Sequence, residues 1–330
     1  MSEAWGTDGP YFDDLRVGQR LEPSPAITIG PGEAALYQSI CGDPYALALS
    51  SPLAVAVSGS PGAMVNPALV LQVAIGQSTV ATRRVIANLF YRDVIVRSAV
   101  RTGETLTTTV EILGMRETGR KPDRPRRGMV LLRMRTTNDR GELITEFERC
   151  ALLPFRHLDT AFTADDTLVG PSGAADLASF AQHAPITWDL TPLGPPTSWP
   201  IGEPHVDPLR DTVTLATALV RLTQNLAAPH RDARLGQRGK RLVYGGHTIG
   251  LAQASLHRMI PNAATVIGWH SCDHISPVFE DDVLSVSATL EQARACGPGR
   301  LLAFRVAVDA ERDGDEPVAV LDWQPVLYAP

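Results

Sequence analysis

Asn225, His230 and Asp232 place an amide, an imidazole and a carboxylate within eight residues of a polar, turn-rich segment, and Lys240-Arg-Leu-Val-Tyr-Gly-Gly-His-Thr-Ile-Gly250 follows closely. An imidazole can take up a proton and return it near neutral pH, so His230 is the natural acid/base group of the set. Asn225 cannot take up a proton; its part would be to orient water or a carbonyl by hydrogen bonds. Asp232 either lends a carboxylate to the same chemistry or caps a turn. The Gly245-Gly246 pair opens an apolar, helix-like run. A helix start leaves N–H groups unpaired and partly positive, able to polarise a carbonyl, and glycines without Cβ let a substrate approach them. The same small residues also suit tight helix–sheet packing. His247, in the first turn of that run, faces either a substrate or the core.

Other residue types narrow the chemistry further. Arg238, Lys240 and Arg241 precede the helix start and would either meet phosphates or stand solvated. His270 and His274 lie four apart in a strand-like stretch, where alternation brings no third ligand near, so no metal is expected. Cys41, Cys150, Cys272 and Cys296 are widely spaced and form no CxxC, which points to neither a disulfide framework nor a zinc site. Cys41 has no base spaced to activate it and reads as a small packing residue. There is no P-loop and no GxGxxG, so nucleotide hydrolysis and NAD chemistry have no support.

With 330 residues, 44% hydrophobic, 20% charged and a net charge of −6, the chain has room for one large domain or two ordinary ones. No basic tract interleaves with aromatics, which argues against a nucleic-acid partner. The basic cluster at 116–127 contains two prolines and a glycine and reads as a solvated loop. The N-terminus lacks a basic and an apolar region of signal-peptide type, and the apolar run at 67–75 is too short to span a bilayer. The expectation is a cytoplasmic protein with no membrane partner.

The elements that must hold these residues come in two similar series. Residues 11–19 form an entry piece with a turn at Gly18, 26–29 a first strand, and 33–40 an amphipathic helix ended by Cys41-Gly-Asp-Pro-Tyr45. Residues 67–76 are apolar nearly all round, which demands a buried helix. Strands follow at 84–90, 94–96, 106–113, 128–137 and 143–153, with a hairpin turn at Asn138-Asp-Arg-Gly141. Residues 157–199 show little periodicity and read as a linker. The order then restarts: 212–222 resembles the first strand and helix, Gly245 onward the buried helix, and 283–290 the long strand. Val65 and Val243, Pro67 and Gly245, Gly103 and Asp281, and Leu106 and Leu284 are each 178 positions apart. Four landmarks at one offset indicate two copies of one unit. Each copy is a curved antiparallel sheet wrapped around a helix, and two such sheets can join edge to edge.

At this point the chain resembles the MaoC-like (R)-specific enoyl-CoA hydratases, and within them the double-hotdog mesaconyl-CoA (β-methylmalyl-CoA) hydratases. The first half carries the resemblance in Tyr11-Phe-Asp-Asp-Leu-Arg-Val-Gly-Gln19, Glu33-Ala-Ala-Leu-Tyr37, Gly103-Glu-Thr-Leu106 and Asn138-Asp-Arg-Gly-Glu142. The second half carries it in Gln224-Asn225, His230 and above all Arg241-Leu-Val-Tyr-Gly-Gly-His247. The resemblance implies an α+β double-hotdog fold: an N-terminal hotdog at 1–156 with a degenerate site, a linker at 157–199, and a C-terminal hotdog at 200–330 carrying the active site.

The family motif Gly-Asp-x-Asn-Pro-x-His holds Asp and His five apart. Here Asn225 falls at the Asp position and His230 at the His position, whereas in the first half Gly42-Asp43 is followed by Ala48 at the His position. The reactive copy is therefore expected to be the second, with the first supplying tunnel walls. The implied activity is a hydro-lyase that adds water to, or removes it from, an α,β-unsaturated acyl-CoA thioester, branched or dicarboxylic as in the mesaconyl-CoA group. His230 would be catalytic, Asn225 a positioning group, and Gly245 and Gly246 the carbonyl-polarising pair, with Asp232 and His247 as secondary candidates. Arg238, Lys240 and Arg241 would meet the CoA phosphates. No cofactor is implied, the CoA thioester being the substrate; such chains act as monomers or pair as homodimers. Two rivals remain: a hotdog thioesterase, and a non-catalytic acyl-thioester-binding protein.

Overall fold

The structure is a computed structural model that describes residues 9–120, 125–159, 162–312 and 316–330. Residues 1–8, read above for a leader, and 121–124 of the basic cluster lie outside the described residues.

The first half opens with two short strands, β1 (Arg20–Leu21) and β2 (Ile27–Thr28), and the helix α1 (Pro31–Cys41). Helix α1 has Pro at its start and ends where Gly42 adopts φ +61°, the left-handed conformation that costs glycine nothing. Two short helices, α2 (Ala46–Leu49) and α3 (Ser51–Ser58), lead to α4 (Pro67–Gln77), all eleven residues of which are buried. Asn66 caps α4 by accepting from the Ala68 N–H at 2.9 Å. With Leu69 and Leu71 fully buried, each such side chain contributes about 1.5–3 kcal/mol of apolar transfer. Strands β3 (Ala87–Val96), β4 (Thr105–Glu117), β5 (Arg127–Thr137) and β6 (Leu143–Pro154) complete the half.

The second half repeats the plan. After α5 (Leu177–Ala181) come β7 (Pro204–Val206), β8 (Asp211–Thr212), α6 (Ala216–Leu222) and the long central helix α7 (Gly245–Met259). Strands β9 (Thr265–His274), β10 (Val283–Cys296), β11 (Gly299–Glu311) and β12 (Val318–Ala329) follow. All strands join one antiparallel sheet in the order β1-β4-β5-β6-β3-β9-β12-β11-β10-β7, with β2 on β4 and β8 on β10. The half-sheets meet at β3–β9, where Val94 lies opposite Trp269 and Ile95 opposite Gly268. A Cβ at Gly268 would overlap the Val94 carbonyl, so glycine is required at this seam.

The 178-residue repeat extends to individual hydrogen bonds. Val65 N–H donates to the Val100 carbonyl at 2.9 Å, and Val243 N–H to the Val278 carbonyl at 2.9 Å. Glu104 accepts from the Arg101 N–H at 3.0 Å, and Asp282 from the Phe279 N–H at 2.9 Å. Gly103 and Asp281 both have positive φ, +101° and +73°. Helices α4 and α7 pack together beneath the sheet; a Cβ at Gly250 would stand 2.7 Å from Cys41 Sγ and 2.9 Å from Gln72 Nε2.

Two local expectations change. The separate strands read at 84–90 and 94–96 are the single strand β3, whose pairing to β6 is interrupted between Arg92 and Ile95, where Asp93 takes φ +54°. The stretch 157–199 has more structure than its composition suggests. It contains α5, capped by Asp176, and buries Leu168, Leu177, Phe180 and Leu190 against the sheet.

Candidate active site

A cavity of about 220 Å³ opens between the halves, beside the start of α7. His230, Asn225, Gly245, Thr248 and His274 line it from the second half, and Thr79, Thr82, Asn88, Tyr91 and Arg149 from the first.

His230 ends a one-turn 3-10 helix (Ala228–His230) that begins after Ala227 and includes Pro229. Its Nδ1 lies 2.9 Å from the Leu242 carbonyl, which can only accept; Nδ1 therefore carries the hydrogen and Nε2 the lone pair. Burial pushes the imidazole pKa down to about 4, the Leu242 carbonyl opposes that shift, and the Arg149 charge adds to it. At neutral pH His230 is thus an uncharged imidazole. His274, at the end of β9, is a second imidazole on the cavity, with a pKa lowered to about 4 by burial and by the His230 charge. Its Nε2 is buried without a hydrogen-bond partner.

Asn225 is buried and follows α6 after the turn at Gln224, which has φ +56°. Its Oδ1 accepts from the Ala227 N–H at 2.9 Å, so the side chain holds the turn that presents His230, and only Nδ2 remains to meet a ligand. The Asn225 carbonyl in turn accepts from Arg231 Nε at 2.7 Å.

Helix α7 starts at Gly245 with no side-chain cap. The Tyr244 carbonyl takes the His247 N–H at 2.8 Å, and no acceptor among the described residues engages the Gly245 or Gly246 N–H. Both glycines are sterically required. A Cβ at Gly245 would come within 2.5 Å of the His274 ring, and one at Gly246 within 2.7 Å of the Tyr244 ring.

The remaining candidates divide. Asp232 does not reach the cavity: it accepts from the Arg234 N–H at 2.9 Å and pairs with the Arg234 guanidinium at 2.6 Å, which hold its pKa down to about 2. His247 is fully buried behind the helix start; neither ring nitrogen has a partner, and burial lowers its pKa to about 4. Arg241 is tied to Glu280. Arg238 and Lys240 are exposed on the tight turn that also carries Gln237, which lines the cavity. The cavity residues that sequence reasoning missed are His274, considered only as a metal ligand, and Tyr91, Asn88 and Arg149, which come from the opposite half. Among the described residues no cluster of His, Cys, Asp and Glu could hold a metal ion.

Asp43 of the first half also meets a histidine of the second, a pair that motif spacing could not reveal. Asp43, at the motif position, accepts from the Tyr45 N–H at 3.0 Å, repeating the Asn225 turn. His257 reaches it from α7, with Nδ1 2.7 Å from Oδ1, while Asn66 and Gln253 donate to Oδ2 at 2.7 and 2.9 Å. The imidazole that meets Asp43 comes from α7 of the second half, not from the first-half motif position, which is Ala48. Asp43 and His257 are 0% and 1% exposed, and neither lines the cavity.

A single antiparallel sheet built of two helix-wrapping halves, with a cavity at the start of one central helix, defines a double-hotdog protein. No family model matches the chain. A mesaconyl-CoA hydratase of Cereibacter sphaeroides is 30% identical over 320 residues, covering 94% of this chain and 91% of that protein. A β-methylmalyl-CoA dehydratase of Chloroflexus aurantiacus is 29% identical, covering 92% and 89%. Among solved structures, a Mycobacterium tuberculosis protein described as a double hotdog is 40% identical with a TM-score of 0.87, covering 97% of this chain and 98% of that one. A MaoC domain dehydratase of Chloroflexus aurantiacus is 25% identical with a TM-score of 0.86, covering 98% of both chains. The chain belongs to the double-hotdog MaoC-like hydratase family. No helix among the described residues is long and apolar enough to cross a membrane.

Proposed function

We propose that the protein is a hydro-lyase that adds water across, or removes it from, the double bond of an α,β-unsaturated acyl-CoA thioester, using the cavity at the start of α7. The observation that carries this reading is His230, a neutral imidazole whose Nδ1–H is fixed on the Leu242 carbonyl so that Nε2 serves as base. Water gives a proton to Nε2 as its oxygen bonds to Cβ, and the π electrons move onto the thioester oxygen. The uncapped Gly245 and Gly246 N–H groups at the start of α7 hold that developing charge. The proton then passes from His230 to Cα, leaving the 3-hydroxyacyl thioester; dehydration runs the same steps in reverse.

Asn225 positions His230 through its turn and offers Nδ2 to the water or the carbonyl. Arg238 and Lys240, exposed beside the cavity residue Gln237, meet the CoA phosphates, whereas Arg241 is already neutralised by Glu280. The two halves of one chain supply the cavity walls, so a homodimer is not needed to complete them. The reading takes the reaction as cytoplasmic and cofactor-free, with the thioester as substrate. It also assigns residues 1–156 to a supporting hotdog and 200–330 to the hotdog bearing the reactive groups, joined through 157–199.

No Asp or Glu among the described residues lines the cavity, which removes support for a thioesterase, since that chemistry would aim a carboxylate at the carbonyl carbon. The test is turnover of a panel of enoyl-CoA and 3-hydroxyacyl-CoA thioesters, followed by mass spectrometry. A mass change of one water is expected; release of free CoA, or acyl-CoA binding with no change in mass, would overturn the proposal.

A further inference from the structure

His274 is the cavity imidazole to which the hydration steps above give no part. It is the last residue of β9 and lies opposite Leu321 of β12; the next residue, Ile275, donates its N–H to the Val320 carbonyl at 3.0 Å. The ring is therefore carried on a paired strand end. It lines the cavity, and its Nε2 is enclosed without a hydrogen-bond partner. A polar atom that has lost its water and gained no protein partner is stabilised by any ligand group that meets it.

The place of the ring narrows what that group is. A Cβ built on Gly245 would stand 2.5 Å from both Cε1 and Nε2 of His274 and 3.2 Å from Nδ1, so the Cε1–Nε2 edge lies directly against the first residue of α7. The missing side chain of Gly245 makes room for an imidazole. The Gly245 and Gly246 N–H groups open from the same helix end, where no side chain caps them. An oxygen that meets those N–H groups comes within reach of Nε2 as well. Burial and the His230 charge lower the His274 pKa to about 4, so at neutral pH the ring is uncharged and donates a hydrogen bond without giving up its proton.

The 178-residue repeat isolates this arrangement. It takes Gly245 back to Pro67 and His274 back to Val96. Proline has no N–H to offer and valine no side-chain donor, and Ala48 stands where His230 would. The first-half helix start thus lacks the glycine, the imidazole and the base together, although β3 and β9 coincide residue for residue. Charge follows the same division. Arg149, on β6 opposite Tyr91, donates through Nη2 to Thr82 Oγ1 at 2.7 Å, while its neighbour Glu148 pairs with Arg92 and Arg133 instead. Opposite Trp269, the counterpart of Tyr91, β12 presents Pro325.

We infer that His274 is a further catalytic residue of the hydration reaction: its Nε2–H donates to the thioester oxygen, a third donor beside the Gly245 and Gly246 N–H groups. This rests on the hydratase reading of the cavity. No proton changes hands at His274. The water proton goes to His230 and from it to Cα, and the His274 hydrogen bond strengthens as charge gathers on the thioester oxygen.

The test pairs turnover with infrared spectroscopy of bound butyryl-CoA, a saturated thioester that cannot be hydrated, isotope-labelled at the carbonyl carbon. In the wild type the carbonyl band should lie below its position in free solution. His274→Leu keeps most of the ring's volume and removes the donor, and should return the band toward the solution position. His274→Gln places an amide N–H where Nε2 stood and should restore part of the shift. Over the same series, kcat for the enoyl-CoA hydrated fastest should fall about a hundredfold in His274→Leu with KM within about threefold, and recover about tenfold in His274→Gln. The unfolding midpoint of His274→Leu should be unchanged or raised, because an unmet polar atom is removed. A wild-type band at the solution position, or Leu and Gln variants that match in both band and kcat, would overturn the inference while leaving hydration intact. A band that follows the series while no enoyl thioester gains water would instead refute the hydratase reading and leave His274 as the carbonyl donor.

Discussion

The two halves share a frame down to single hydrogen bonds, yet they treat the same motif position in opposite ways. In the first half, Asp43 receives four donors, from Tyr45 and Asn66 of its own half and from Gln253 and His257 of α7. Burial alone would raise the Asp43 pKa; the charge and hydrogen bond of His257, with those of Asn66 and Gln253, overcome it and hold the carboxyl low. In the second half Asn225 makes the same turn, but the nearby base is left facing a cavity, and the groups around it come from both halves. Residue types alone therefore do not make a reactive site. Asp43 and His257 are in contact, but neither lines the cavity, and the unpartnered Nε2 of His257 is enclosed away from it; the second half lacks the aspartate at its motif position and has His230 on the cavity wall.

Exchanging the two histidines gives the sharpest test. His230→Ala should lower hydration by about a thousandfold with little change in unfolding midpoint, because the lost group acts on substrate. His257→Ala should instead cost about 3–5 kcal/mol of stability in denaturant unfolding, because it leaves the Asp43 carboxylate buried with less compensation. If the outcomes were reversed, Asp43–His257 would be the working pair and the comparison would fall.

Acid should separate folding from chemistry less cleanly. The His230, His247 and His274 pKa values sit near 4 in the fold against an ordinary 6.5, so the unfolded chain binds more protons between those limits. Their contribution to stability is complete above pH 6.5 and is lost as pH falls toward 4, up to about 3 kcal/mol for each histidine. Unfolding midpoints measured from pH 7 to pH 4 should fall steadily, while hydration by the folded enzyme should hold to about pH 5 and drop as His230 protonates near 4. A kinetic limb at 6.5 would show that His230 is not enclosed.

The smallest effect concerns the rim. Replacing Arg238 and Lys240 together with Ala should raise KM for a CoA thioester about three- to tenfold, an effect that shrinks as salt is added. An unchanged KM would move the phosphate site away from this turn.

Much of this contrast could be read along the chain, and the exceptions have a common cause. The buried helix at Pro67, its partner at Gly245 and the curved strands follow from local periodicity, and the 178-residue offset follows from counting. His230 and the Gly-Gly helix start are local features too, each defined within a few residues of its own turn. His257 lies 214 residues from Asp43, and Arg149 and Tyr91 lie in the half that does not carry His230; only strand register and helix packing bring them together. Asp232 marks a different limit, because a cap and a catalytic carboxylate look alike until the neighbouring Arg234 is seen to occupy it.

The β3–β9 seam has one more consequence. In a dimer of identical chains each substitution is made twice, so a buried arginine without a charged partner would burden two cavities at once. Joining the copies in one polypeptide across a seam that Gly268 keeps close allows a change to be made on one side only. Arg149 has no charged twin at Pro325, and Asp43 can be locked away without locking Asn225. Fusion thus turns a structural symmetry into a division of labour, and the asymmetry of the charges records how far that division has gone.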